Sequence, residues 1–153
     1  LPRGAADIEA VAVDPRTLWV YLLTKREEPP VLWRFSLLGP DNDVEYVGEV
    51  PIPEPTEAQL RADPRYGHAA SWPTAMDFTH DGDALIVQTY SDAWRIPRRD
   101  DDELSLGSLV HIPVAKLVQT EAACATPDGM WWVTSEQRPA PLLAIPLTVA
   151  PQR

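Results

Sequence analysis

One cysteine, no long apolar run and a shortage of basic residues bound this chain before any motif is sought. The lone Cys124 cannot close an internal disulfide. Its neighbours, "EAACAT", are mostly small and apolar, so a buried structural thiol is expected. No stretch approaches the roughly 20 apolar residues of a membrane-spanning helix. There are 13 Lys and Arg against 23 Asp and Glu, a net charge of −10. That balance argues against a nucleic-acid partner, because binding phosphates wants a basic surface. An acidic surface instead aids solubility and attracts cations or basic partners. Also missing are a Gly-x-Ser-x-Gly elbow, a phosphate-cradling Gly loop and an obvious His partner for Cys124. The first residues, "LPRGAADIEA", carry neither an initiating Met nor a signal-peptide core. They read as the start of a chain that was processed or cut from something larger.

What is present suits one globular domain. The chain has 153 residues, of which 44% are hydrophobic and 24% charged. Its 17 prolines are spread along the whole length. They argue for short elements joined by many turns, not for long helices. Six tryptophans are many for this length.

The sequence repeats. Three segments align: "IEAVAVDPRTLWVYLLTKREEPPVLWRFSL" from Ile8, "PTAMDFTHDGDALIVQTYSDAWRIPR" from Pro73 and "TEAACATPDGMWWVTSEQRPAPLLAIPL" from Thr120. Each opens with a polar residue followed by Ala: Glu9-Ala10, Thr74-Ala75, Glu121-Ala122. A short apolar strand, a turn ("DPRT", "THDG", "TPDG") and a strand rich in apolar and β-branched residues follow. A further strand then ends on apolar-Ser or apolar-Pro. Asp-Gly permits the positive φ of a tight hairpin. Val, Ile, Trp and Tyr suit a pleated, half-buried surface. A fourth strand follows the first two units, at Val44–Ile52 and Ser108–Ala115. The segments start 65 and 47 residues apart, and four-stranded units of roughly 40–50 residues are the mark of a propeller blade.

The predicted fold is therefore all-β, with about three four-stranded antiparallel meanders. Blade 1 is expected at about 7–52, an insertion at 53–72, blade 2 at about 73–115 and an incomplete blade 3 at about 119–150. In the insertion, "PTEAQLRAD" offers Thr56 as a helix cap and predicts one or two helical turns. "RRDDDELSLG" reads as a charged, solvated turn.

The blocks "DIEAVAVDPRT…YLLTKR", "TAMDFTHDGDALIVQTYSDAWRI" and "QTEAACATPDGMWWVTSE" resemble those of bacterial six-bladed β-propeller proteins. Those are mostly uncharacterised and often exported, and their Asp-Gly blade turns are shared with TolB-like and NHL or SMP-30-like propellers. The likeness covers nearly the whole chain and implies a C-terminal half or fragment of such a ring. It also implies a periplasmic or extracellular home, while a single cysteine leaves a cytosolic one open. The chain departs from the pattern at its first turn, where Arg16-Thr17-Leu18 stands in place of a Gly. The earlier blades are missing as well. Three blades cannot close a ring, since propellers have roughly four to eight. The expected partners are therefore the remaining blades of a longer protein, or a second copy paired about a two-fold axis.

The repeat register also singles out candidate site residues. Glu9, Thr74 and Glu121 share one position near the start of each inner strand. Lys25, Tyr90 and Glu136 share another at the end of each second strand. These six polar residues interrupt otherwise apolar strands and are expected to converge on one mouth of the channel. There they meet a ligand, bond a neighbouring blade's backbone, or form inter-blade ion pairs. Resemblance to phytase-like and SMP-30-like propellers adds Glu9, Glu121 and Glu136 as a weak Ca²⁺ ligand set. "DNDVE" at 41–45 is a poor Ca²⁺ loop, because Tyr46 stands where a Gly is required. His68, His80 and His111 fall in unrelated places, so zinc is not expected. The tryptophans read as packing between blades, except Trp72, which precedes an inner strand and is placed to cap a pocket. Two functions follow. The first is a binding or scaffold module without a cofactor. The second is a metal-dependent, Ca-type hydrolase or lactonase.

Overall fold

A computed structural model describes residues 4, 6–39, 43–115, 117, 119–136 and 138–147. The described residues form three antiparallel sheets. The first runs in the order β1 (Ile8–Val13), β2 (Trp19–Thr24), β3 (Val31–Ser36), β4 (Glu45–Glu49). An inserted segment follows, with α1 (Glu57–Ala62) and a 3-10 helix at Gly67–Ser71. The second sheet is β5 (Pro73–Phe78), β6 (Ala84–Thr89), β7 (Ala93–Pro97), β8 (Val110–Ile112). The third is β9 (Thr120–Ala125), β10 (Met130–Ser135), β11 (Leu142–Pro146). Each sheet is a meander, its strands paired in chain order. The inner strands β1, β5 and β9 lie side by side, β1 against β5 and β5 against β9. The sheets thus stack like blades about their inner edges.

Burial follows from that stacking. Every residue of β6 is buried, because its sheet is covered on both faces. Strands β1 and β9 alternate between covered and uncovered residues, because only one face of each outer blade has a neighbour. The core accordingly divides at the two seams. Tyr21, Leu23, Met76, Phe78, Leu85 and Val87 pack between blades 1 and 2. Ile86, Ala93, Ile112, Trp131 and Val133 pack between blades 2 and 3.

Alternation explains one correction. Cys124, expected to be buried, is exposed. Its position in β9 points to the face away from blade 2, as does that of Ala122, which is also exposed. The segment read as a solvated charged turn is only partly so. At its base Arg98 pairs with Leu104 through a β-bridge, Leu104 is buried, and the Arg98 side chain is only 3% exposed. Helix α1 starts at the Thr56 cap, closed by a reciprocal capping box with Gln59. An outer strand for the third blade would fall at 148–153, outside the described residues, as do Asp41 and Asn42 of the "DNDVE" stretch. No helix among the described residues is long and apolar enough to cross a membrane.

Candidate functional site

Each blade carries the same irregularity at the same place. In blade 1 the register steps from Ile8↔Thr24 to Ala10↔Leu23, leaving Glu9 as an extra residue. In blade 2 it steps from Pro73↔Thr89 to Ala75↔Gln88, leaving Thr74. In blade 3 it steps from Thr120↔Ser135 to Ala122↔Thr134, leaving Glu121. A β-bulge takes its extra residue out of the ladder and re-aims the side chain. The three residues set apart by sequence register are the three bulge residues.

Antiparallel pairing places the end of each second strand beside these bulges, and there Lys25, Tyr90 and Glu136 follow β2, β6 and β10. Four of the six candidates join into one chain of hydrogen bonds across all three blades. The Lys25 ammonium donates to Glu9 Oε2 at 2.7 Å and to the Tyr90 hydroxyl oxygen at 3.1 Å. The Tyr90 hydroxyl donates to Glu121 Oε1 at 2.8 Å. Lys25 is buried, while Glu9 keeps 35% of its side chain exposed. Burial pulls the Lys25 pKa down, but its bonds to Glu9 and Tyr90 hold it above the ordinary lysine value. The Tyr90 hydroxyl is also raised, first by burial and then by the Glu121 carboxylate, against the pull of Lys25. Lys25 therefore keeps its charge, and Tyr90 its proton, at neutral pH.

The other two candidates differ. Thr74 is buried at 3% exposure, and its Oγ1 has no hydrogen-bond partner. Glu136 is exposed and stands outside the chain of bonds. Glu9 and Glu121 already accept bonds from Lys25 and Tyr90, and no three His, Cys, Asp or Glu among the described residues are grouped to hold a metal.

At the opposite ends of the strands a second set of bonds joins blades 1 and 2. Asp14, fully buried, accepts from Arg98 Nη2 at 2.7 Å, from the Arg16 N–H at 2.9 Å and from Thr17 at 2.8 Å. Burial opposes its charge, but these three bonds and the Arg98 guanidinium hold its pKa below the ordinary carboxylate value. Arg98 also donates to the Gly82 carbonyl at 2.6 Å. Arg16 reaches from the blade 1 turn to the Asp81 carbonyl at 2.6 Å and to the Asp83 carboxylate. The turns stood out in the sequence, but the bonds between them did not. Arg16 was visible only as a departure from the Gly pattern, and Arg98 was hidden in a charged run.

Trp72 lines a cavity of about 550 Å³ with Glu27, Glu28 and Leu60, so it does border a pocket. His68 meets it edge-on at 5.3 Å. The remaining tryptophans sit in strands; Trp33 and Trp131 are buried.

No protein-family model matches the sequence, and no curated protein matches it. Several solved structures are similar in fold, among them two that match over most of this chain. One is a nidogen/laminin complex, at 16% identity and a TM-score of 0.58 over 92% of this chain. The other is Sqt1 of Saccharomyces cerevisiae, at 11% identity and a TM-score of 0.51 over 91%. The chain spans only 44% and 35% of those two chains. Both are propellers, and the three stacked meanders described above are blades of a β-propeller-type fold that covers part of a ring.

Proposed function

We propose that this chain is a binding module, its ligand-facing surface the channel mouth bordered by Glu9, Lys25, Thr74, Tyr90, Glu121 and Glu136. Further blades of a longer protein, or a second copy, complete the ring. The observation that carries this reading is the bulge at the same position in all three blades. A bulge disrupts ladder pairing, and three in register are hard to account for by folding alone. The side chains they set apart carry charge or a spare hydroxyl, and Thr74 Oγ1 awaits a partner. The name of one structure similar in fold records a complex.

Native mass spectrometry of the chain is the informative experiment, because one spectrum reports assembly state, bound partner and retained metal. A dimer or a complex with further blades is expected. Maleimide labelling of Cys124 gives a second readout. The thiol is open in the single chain and becomes protected once a blade covers that face. A stable lone monomer with Cys124 fully reactive at high concentration would sink the completed-ring reading. A retained divalent ion lost on Glu9→Gln or Glu121→Gln would move the site from recognition to metal chemistry.

A further inference from the structure

The bonds that join the three blades at the mouth leave some atoms unused, and those atoms are of one kind. Glu9 spends Oε2 on Lys25, and Glu121 spends Oε1 on the Tyr90 hydroxyl. Glu9 Oε1 and Glu121 Oε2 take no hydrogen bond among the described residues. A carboxylate oxygen only accepts. Between them on β5 stands Thr74, 3% exposed, with no partner for Oγ1. We infer that the mouth binds an organic cation whose N–H donors are spread over a planar fork, the chemistry of a guanidinium group. The inference rests on the reading of the mouth as a binding surface and names the charge and donor pattern of its ligand.

Charge sets the sign of the ligand. In the bonded chain two carboxylates, Glu9 and Glu121, face one ammonium, Lys25, and Tyr90 is neutral. The excess is negative. The positive group is also the one turned inward. Lys25 is buried and has given N–H donors to both Glu9 and Tyr90, while Glu9 keeps 35% of its side chain exposed and Glu121 is half-buried. An arriving anion would meet carboxylate before ammonium. Arg26 does not fill the gap, because it pairs with Asp7 at 3.1 Å and lies over the Trp72 ring. Glu136 and Arg138, both exposed on blade 3, offset each other and leave the balance unchanged.

Placement sets the shape. The two unused carboxylate oxygens belong to blades 1 and 3, with three hydrogen bonds in line between their groups. A compact ion sits at one point and meets only one of them. A guanidinium presents N–H donors on opposite edges of a rigid fork and matches carboxylates edge to edge. Thr74 lies at the same bulge position as Glu9 and Glu121, on the strand between theirs. A buried hydroxyl left without a partner costs the fold stability. Folding tolerates that cost at the one blade that carries no carboxylate there. A donor reaching in between Glu9 and Glu121 removes it. The site is also preset, because Lys25 already fixes Glu9 and Tyr90, so a ligand loses little affinity to ordering the walls.

Titrating the chain with agmatine and with a capped Gly-Arg-Gly peptide, followed by amide NMR shifts, tests the inference. Glucose, succinate and calcium chloride at matched ionic strength are the controls. Saturable shifts at Glu9, Thr74, Tyr90 and Glu121 are expected with the guanidinium probes. The tighter of the two tells whether a free cation or an arginine side chain is the source. Glu121→Gln keeps an acceptor for the Tyr90 hydroxyl but loses the charge, and should weaken binding about tenfold. Thr74→Val should weaken it about threefold while Tm holds or rises, because the fold does not use that hydroxyl. A purely structural threonine would lower Tm and leave binding alone. Guanidinium binding indifferent to both variants overturns the inference. So does a mouth that responds to succinate, glucose or Ca²⁺ but to neither guanidinium up to about 10 mM, and there the mouth stands as a binding surface for another ligand. No response at the mouth to any probe overturns both readings.

Discussion

The two seams between blades solve one problem in opposite ways. Seam 1–2 is ionic. The buried Arg98–Asp14 pair, Arg16 gripping the blade 2 turn, and Lys25 reaching Tyr90 all cross it. Seam 2–3 is neutral at its centre. There Trp131 Nε1 donates to Gln88 Oε1 at 3.0 Å, both side chains buried. Asp77 Oδ2 accepts the Ala125 N–H at 3.0 Å, and the carboxyl is raised by burial against the backbone bonds from Ala125 and Phe78. Both seams use an aspartate from an inner strand or its end, yet Asp14 is held acidic and Asp77 is pushed up by burial. The difference teaches that a blade contact needs satisfied polar groups and matched apolar faces, but not ion pairs.

The largest effect should come from breaking the ionic seam on one side only. Arg98→Met leaves Asp14 buried without its cation, and a loss of about 3–5 kcal/mol is expected in urea unfolding. Adding Asp14→Leu to that variant should recover much of the loss, because the cost lies in the orphaned charge. A double variant no better than Arg98→Met would show that the pair supplies geometry which apolar packing cannot replace.

The neutral seam should fail more gently. Trp131→Phe keeps a ring but strands the Gln88 amide oxygen, at an expected cost of about 1–3 kcal/mol. Making Gln88→Leu in the same chain should return part of that. If Trp131→Phe costs more than Arg98→Met, the ranking of the two seams is reversed.

Acid separates the seams by sign. Asp14 has a lowered folded pKa, so its contribution is present above the ordinary carboxylate value of 3.8 and drains away as pH falls through the folded value. Asp77 has a raised folded pKa, so its ionisation opposes folding. That opposition disappears as pH falls through the raised value toward 3.8. Asp14→Asn should therefore flatten the acid limb of the stability curve, and Asp77→Asn should steepen it. Parallel curves for both variants would contradict the assigned directions.

Much of this architecture was legible because blades repeat. Register alone brought Glu9, Lys25, Tyr90 and Glu121 forward, since equivalent positions in stacked meanders must lie at one end. Glu136 shared the register but not the contact, because blade 3 has a neighbour on one face only. The same one-sidedness exposes Cys124, whose small apolar neighbours pointed the other way. Asp14–Arg98 was not legible. The partners lie 84 residues apart and have no counterpart in blade 3. Repetition reveals what blades share and hides what one seam alone contains.

The smallest effect concerns the turn beside the ionic seam. Blades 2 and 3 turn on Gly82 and Gly129, at φ of 71° and 75°. Blade 1 instead turns on Leu18 at φ 58°, where the sequence showed no Gly. A branched side chain in the left-handed region is disfavoured by about 1–2 kcal/mol. Leu18→Gly removes that strain, but it gives the unfolded chain more freedom and loses a partly exposed apolar contact. The net expectation is a gain of up to about 1 kcal/mol, read as a small rise in Tm. At Gly82 the same logic runs backwards and more strongly. A Cβ there would lie 2.9 Å from the Arg16 side chain as well as strain the backbone. Gly82→Ala should therefore loosen Arg16 and make the ionic seam more sensitive to salt, while Gly129→Ala, with open space around it, costs only the backbone strain.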